Sequence, residues 1–320
     1  MIVDLEDAVY SYDKLIANGR AMAEKYHKII HYVTIGSTHD NRDIVMLKLG
    51  YGRKYMLFCG GVHGRETINP IVLMHITEYY AELYTKHTVQ KNYFNKQKPD
   101  VNLDMEEYEQ IIFGNCIYEL LSTFTILMIP LLNPDGYMVS LNGFDEIRDS
   151  TLKEKALGRN IISEEWKYNA RGVDINRNFP CRLWRPKNPT DYVASENETK
   201  ALIAVFNQYK VRGFIDFHSR GKSIYYYRRS MSASYNDRQL RVAKRLASII
   251  KYELMPPSDE LEPGDTGGNT VHYFSEHFNK LALTIETVDE NAAFPLEHRY
   301  RSSTFEELKL VFFEFGSLII

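Results

Sequence analysis

Four short stretches of this chain place metal-binding or acid–base side chains at telling spacings. In Gly60-Gly61-Val62-His63-Gly64-Arg65-Glu66 an imidazole and a carboxylate stand three residues apart. At a strand-to-helix bend both can turn toward one point, and such a nitrogen–oxygen pair suits Zn²⁺. Taken alone, the pattern is more often that of a surface histidine followed by a glutamate favoured at a helix N-terminus. In Phe214-Ile215-Asp216-Phe217-His218-Ser219 a histidine closes an apolar run. It could be a third ligand or a hydrogen-bonded rim histidine. Asp216, two positions earlier, shares its strand face and is a candidate acceptor for a ligand imidazole.

The other two stretches carry charge of opposite sign. In Arg171-Gly172-Val173-Asp174-Ile175-Asn176-Arg177-Asn178-Phe179-Pro180, the adjacent Asn176 and Arg177 can bind a carboxylate, the arginine as a two-pronged fork. The plainer alternative is a loop arginine in a surface salt bridge. In Leu283-Thr284-Ile285-Glu286-Thr287 a glutamate interrupts an apolar strand. If buried it must be paired or raised in pKa, which suits a general base. If exposed it is an ordinary strand-end carboxylate.

These residues need elements to position them. Helical spacing predicts helices over Tyr10–Tyr26, Ile68–Leu83, Glu106–Leu121, Asp237–Leu254 and Phe305–Leu318. Ser195-Glu196-Asn197-Glu198 reads as a capping box that opens a helix to about Tyr209. Short apolar runs predict strands over Ile29–Ile35, Ile44–Leu49, Lys54–Cys59, Thr123–Leu132, Gly213–His218 and Lys280–Thr287. Asn133-Pro134-Asp135-Gly136 is a turn signal. Two polar stretches, about 86–105 and 142–169, read as an inserted loop and a long excursion. Alternating strands and helices without a linker predict one α/β domain over 1–320. Its core would be a twisted, mixed, largely parallel sheet with helices on both faces. The chemically useful residues fall just past apolar strands, where open α/β sheets bind ligands.

Composition narrows the class. The 320 residues are 44% hydrophobic and 25% charged, ample for a core and unlike a disordered chain. Thirty-nine basic against 42 acidic residues give a net charge of −3, which advertises neither nucleic acid nor an anionic membrane. The most apolar C-terminal run, Leu310–Ile320, contains Glu314 and is too short for a crossing of roughly 20 residues. The N-terminus lacks a signal-peptide pattern. Three scattered cysteines, Cys59, Cys116 and Cys181, are no disulfide framework. Together these features predict a cytoplasmic protein. Tyr225-Tyr226-Tyr227-Arg228-Arg229 reads as a pocket wall or sheet edge rather than a base-stacking platform.

Read together, the stretches resemble the zinc carboxypeptidases related to pancreatic carboxypeptidases A and B. HxRE at His63–Glu66, DxNRNF at Asp174–Phe179, DFHS at Asp216–Ser219 and TxE at Thr284–Glu286 follow the family's order. The NPDG at Asn133 and the SExET at Ser195 also match, so the likeness runs from about Tyr10 to Phe315. The resemblance implies one Zn²⁺ held by His63, Glu66 and His218. It implies Glu286 as general base and Arg65 as a carbonyl-polarising group. Asn176 and Arg177 would anchor a peptide's free C-terminal carboxylate. The family's second catalytic arginine follows a tryptophan; here Trp166-Lys167 stands in that place, with Arg171 as an alternative. The family's mobile tyrosine has no match in Glu262-Pro263-Gly264-Asp265. Gly267-Gly268-Asn269-Thr270 resembles its pocket loop, with Thr270 in the specificity position.

The expected activity is that of a metallocarboxypeptidase acting on a peptide with a free carboxyl end. The segment after His218 also looks like bacterial relatives that cut γ-D-glutamyl-diaminopimelate bonds of murein peptides. A non-catalytic peptide-binding module on the same fold is the rival from another class. A nucleotide-binding α/β protein is a third, but Gly60-Gly61-x-x-Gly64 lacks phosphate-loop spacing.

Overall fold

A computed structural model describes residues 1–94, 105–261 and 264–319. In chain order the elements are α1 (Tyr12–Lys25), β1 (Ile30–Ser37), β2 (Asp43–Leu49), β3 (Lys54–Gly60), α2 (Ile68–Phe94), α3 (Met105–Thr123), β4 (Phe124–Ile129), α4 (Pro134–Asn142) and α5 (Ser150–Leu157). Then follow α6 (Asn197–Gln208), β5 (Val211–Ser219), β6 (Ser223–Tyr225), α7 (Ala233–Ile250), β7 (Glu253–Leu254), α8 (Thr270–Phe278), β8 (Leu281–Thr287), α9 (Tyr300–Leu308) and α10 (Val311–Leu318).

One eight-stranded sheet runs β1-β2-β4-β3-β5-β8-β6-β7. Its centre, β4-β3-β5-β8, is parallel, and its flanks include antiparallel pairs. Alternation along the central strands splits the core in two. Met56 and Phe58 of β3, Ile215 and Phe217 of β5, and Leu283 and Ile285 of β8 pack into the larger half with α2, α3, α7 and α10. Leu57, Cys59, Phe214 and Ala282 face the other half, with α6 and α8. The period of two therefore turns Asp216, His218, Thr284 and Glu286 to that second face. From β3 the chain passes to β4 on one side and later returns to β5 on the other. The carboxyl ends of β3 and β5 thus form a switch point, where open α/β sheets hold ligands.

Several sequence expectations need correction. Residues 86–94 continue α2 rather than opening a loop; the remainder of that stretch up to 104 lies outside the described residues. The last helix is two, α9 and α10. The NPDG turn is a helix start: the Asn133 side chain accepts from Gly136 N–H and Pro134 stands in the first turn, where its missing N–H costs nothing. The capping box does not form. Glu196 is the N-cap of α6 and makes no side-chain cap bond, while the Ser195 hydroxyl donates to Glu196. The 142–169 excursion carries α5 and is organised around fully buried Trp166, which packs edge-on against Phe144 and Tyr168. Among the described residues no helix is long and apolar enough to cross a membrane.

Glu198, in the first turn of α6, is fully buried. Burial, with the nearby charges of Asp135 and Glu196, pushes its carboxyl up to about 8. A folded-state pKa above the unfolded one means that the native protein retains a proton the unfolded chain loses. Stability should therefore fall as pH rises from about 4.5 to about 8. Glu198→Gln is expected to flatten that decline and to be the more stable protein at pH 8. Urea midpoints of both proteins at pH 5, 6.5 and 8 check this; parallel profiles would contradict it.

Candidate metal centre

Three loops lock together to present the first two candidate ligands. His63 and Glu66 lie on the bend between β3 and α2. The Asn133 amide donates to the carbonyls of Val62 and Tyr168, and Gly64 N–H donates to the Lys167 carbonyl at 3.2 Å. No side chain fits between these segments. A Cβ on Gly64 would lie 2.2 Å from the Gly136 carbonyl oxygen, and one on Gly136 would lie 2.1 Å from the Tyr168 carbonyl oxygen. The glycines of HGRE and NPDG are thus required by close backbone approach.

His63 Nδ1 is 2.7 Å from Glu66 Oε1, and His218 Nδ1 is 3.1 Å from Glu66 Oε2. The two rings are 4.9 Å apart. One ligand atom from each of the three residues lies within 4.8 Å of the others. Each imidazole turns its other nitrogen to a carboxylate: His63 Nε2 to Asp174 Oδ1 at 3.2 Å, and His218 Nε2 to Asp216 Oδ2 at 3.1 Å. Asp216 thus stands beside the His218 ring, as its strand face implied, but no hydrogen bond between them is aligned. Asp174 had no role assigned from sequence, although it heads the DxNRNF motif.

Charge at this centre is strongly perturbed. Burial pushes the Glu66 carboxyl up, but His218 and His63 outweigh it and hold it at about 2. Burial likewise opposes charge on His218, yet Asp216 and Glu66 raise it well above the ordinary imidazole value. Asp174 is held well below the carboxylate range by His63, Lys167 and Arg177 despite its burial. Across the β5–β8 ladder Glu286 is the register partner of His218. Burial first, then the neighbouring Glu66 and Asp216 charges, raise its carboxyl to about 8 against the pull of both histidines.

The donor set fits a zinc ion. Two imidazole nitrogens and one carboxylate converge; His63 Nε2 is hydrogen-bonded to Asp174, and His218 Nε2 lies beside Asp216 without an aligned bond. Glu66 Oε2 is buried and has no aligned hydrogen bond, a cost that a bound cation removes. Carboxylates crowd the cluster, so a divalent cation supplies the charge it lacks.

The remaining expected residues fall around this centre. Arg65 is paired with Glu165 at 2.6 Å and lies over the Phe294 ring at 4.4 Å. Lys167 reaches Asp174 at 2.7 Å, whereas Arg171 reaches Glu196 at 3.2 Å. Of these two alternatives, Lys167 stands one contact from the ligand His63. Arg177 donates to Asp265 at 2.8 Å and to the Asn176 carbonyl, and the Asn176 side chain accepts from Thr270 N–H. Lys167, Arg171, Asp174 and Arg177 all line one cavity of about 650 Å³. Thr270, expected in the specificity position, does not line that cavity. It is fully buried and its hydroxyl donates to Asp216, so it braces the carboxylate behind His218.

The profile of the zinc carboxypeptidase family matches residues 16–310, and the chain belongs to that family. It is 24% identical over 233 residues to gamma-D-glutamyl-L-diamino acid endopeptidase 1 of Lysinibacillus sphaericus, covering 68% of this chain and 52% of that protein. It is 23% identical over 226 residues to mast cell carboxypeptidase A of Mus musculus, covering 65% and 44%. The chain spans about half the length of these curated relatives. Its fold is similar to that of bovine thrombin-activatable fibrinolysis inhibitor in complex with tick carboxypeptidase inhibitor. The TM-score is 0.70 at 19% identity, over 97% of this chain and 96% of the other.

Zinc added to metal-free protein is expected to stabilise it, by about 2.7 kcal/mol at a hundredfold excess over Kd. Glu66→Ala should abolish most of that gain. An equal zinc-dependent rise in the unfolding midpoint of both proteins would place the ion elsewhere.

Proposed function

We propose that the chain is a zinc-dependent metallocarboxypeptidase that hydrolyses the C-terminal peptide bond of a peptide with a free carboxylate. The observation that carries this reading is the pairing of the His63–Glu66–His218 cluster with Glu286, side by side at the ends of β5 and β8. His63, Glu66 and His218 would hold the zinc ion. When bound, such an ion acidifies water toward neutral pH and polarises a carbonyl oxygen.

The chain's own groups supply the rest. Among the described residues the Glu286 side chain has no hydrogen-bond partner; in its ionised form, which the charge of a bound cation would favour over the raised value it has without one, it would accept a proton from the attacking water and deliver it to the leaving amine nitrogen. Asp174 and Asp216 fix the imidazole orientations. Arg65 would steady the developing oxyanion once its contact with Glu165 loosens. Arg177 and Asn176 would hold the substrate's terminal carboxylate, with Arg177 exchanging Asp265 for it. Lys167, a point charge rather than a fork, would add attraction on the same side. The three cysteines are unpaired, which suits a reducing compartment such as the cytoplasm.

A second reading has one specific support, the similarity to an endopeptidase whose name specifies γ-D-glutamyl-L-diamino acid bonds. In that reading the substrate is a murein peptide and the diamino acid is the residue released.

Glu286→Gln is expected to bind zinc normally and to lose roughly 10²–10⁴ of its turnover; near-normal turnover would remove it as the base. Arg177→Ala should raise KM more than it lowers kcat on free-acid peptides. An unchanged KM would argue against carboxylate anchoring. A zinc-loaded protein that binds peptides but cuts none would be a binding module instead.

A further inference from the structure

The cavity that reaches the metal centre through Asp174, the partner of His63, has an unbalanced charge inventory. Six of its lining residues are lysine or arginine and four are aspartate or glutamate. Three cations are matched, Lys167 by Asp174, Arg171 by Glu196 and Arg177 by Asp265. The fourth carboxylate, Asp191, is committed to the backbone N–H groups of Lys187 and Asn188. That leaves Arg159, Arg185 and Lys187 with no carboxylate partner among the described residues. Arg185 is occupied by the carbonyls of Arg182 and Trp184.

Arg159 is exposed, but its side chain is held on two sides. Its guanidinium carbon lies 4.2 Å over the Tyr168 ring, one residue from Lys167. Its stem runs along Gly172, which has φ +74; a Cβ there would stand 3.2 Å from Arg159 Cδ and Nε. An aromatic face on one side and a glycine on the other narrow its rotamers, and a pre-oriented guanidinium matches a carboxylate with two parallel N–H donors. The wall disfavours a basic end group, which would meet its excess positive charge.

We propose that this cavity selects a C-terminal residue bearing a second carboxylate, and that Arg159 is the specificity-determining residue that reads it. The proposal rests on the carboxypeptidase reading above and adds the chemistry of the released residue. That chemistry has two sources, an acidic α-amino acid such as glutamate or a diamino diacid such as diaminopimelate.

The test separates this proposal from that reading by measuring binding as well as turnover. Equilibrium affinity is measured on zinc-loaded Glu286→Gln protein for two peptides that differ only in ending with Glu or Gln, and for one ending in diaminopimelate. Turnover of the same peptides is measured on the unaltered protein. The expected result is a preference of about tenfold or more for Glu over Gln in both readouts, matching a charge-assisted pair. Adding Arg159→Gln should bring that ratio close to one, and Arg159→Lys should restore part of it. Comparable preference for the diaminopimelate end would support the shared chemistry and identify the second source; a Glu preference alone would support the first. Equal binding of the Glu and Gln peptides would overturn the proposal even if both are cut. A Glu preference that survives in Arg159→Gln would overturn the assignment to Arg159. Failure of all turnover with the Glu preference intact in binding would sink the hydrolytic reading and leave the selectivity standing.

Discussion

The site depends on how two imidazole rings are oriented. Each presents Nδ1 toward Glu66 and rests Nε2 against a buried or half-buried aspartate, Asp174 for His63 and Asp216 for His218. A ring free to turn would bring the wrong nitrogen inward or none at all, and the convergence of three donors would be lost. Everything around the pair serves that constraint. Thr270 braces Asp216 from the first turn of α8. Lys167 braces Asp174, and the interlocked backbones around Gly64 and Gly136 fix where the bend carrying His63 can lie. The sheet contributes through register, since β5 and β8 run parallel and put Glu286 directly beside His218.

The same crowding sets the electrostatics. Glu66, Asp174, Asp216 and Glu286 bring four carboxyl groups to one small volume, against two imidazoles and Lys167. The protein meets the cost in two ways. Glu66 and Asp174 are held ionised by adjacent positive charge, and Glu286 is driven toward its neutral form. Opposed shifts among neighbouring acids are common at catalytic sites. Farther out the balance reverses, and the cavity wall carries more cation than anion.

Much of this was legible in the sequence. The central strands announced themselves as short apolar runs, and their ends marked where His63, His218 and Glu286 had to lie. Alternation along β5 placed Asp216 and His218 on one face before any coordinates. What escaped was set by tertiary contact. The bond of the buried Thr270 hydroxyl to the buried Asp216 carboxylate had no signal in the sequence. The capping-box pattern at Ser195 misled because buried Glu196 takes the Ser195 hydroxyl for itself. The polar run after Leu83 has no amphipathic stripe, but α2 continues through its first part to Phe94. Arg159 carried no local signal at all; its place beside Tyr168 and Gly172 exists only after the 142–169 excursion folds around Trp166.

The central claim is that zinc held by this cluster removes a residue from the carboxyl end of a peptide. The most direct measurement is mass spectrometry of products from protein carrying one zinc per chain, given matched peptides with free and amidated C-termini. The account predicts loss of a single terminal residue from the free acids and little or none from the amides. Internal cleavage of both forms alike, or no cleavage at full zinc occupancy, would contradict it.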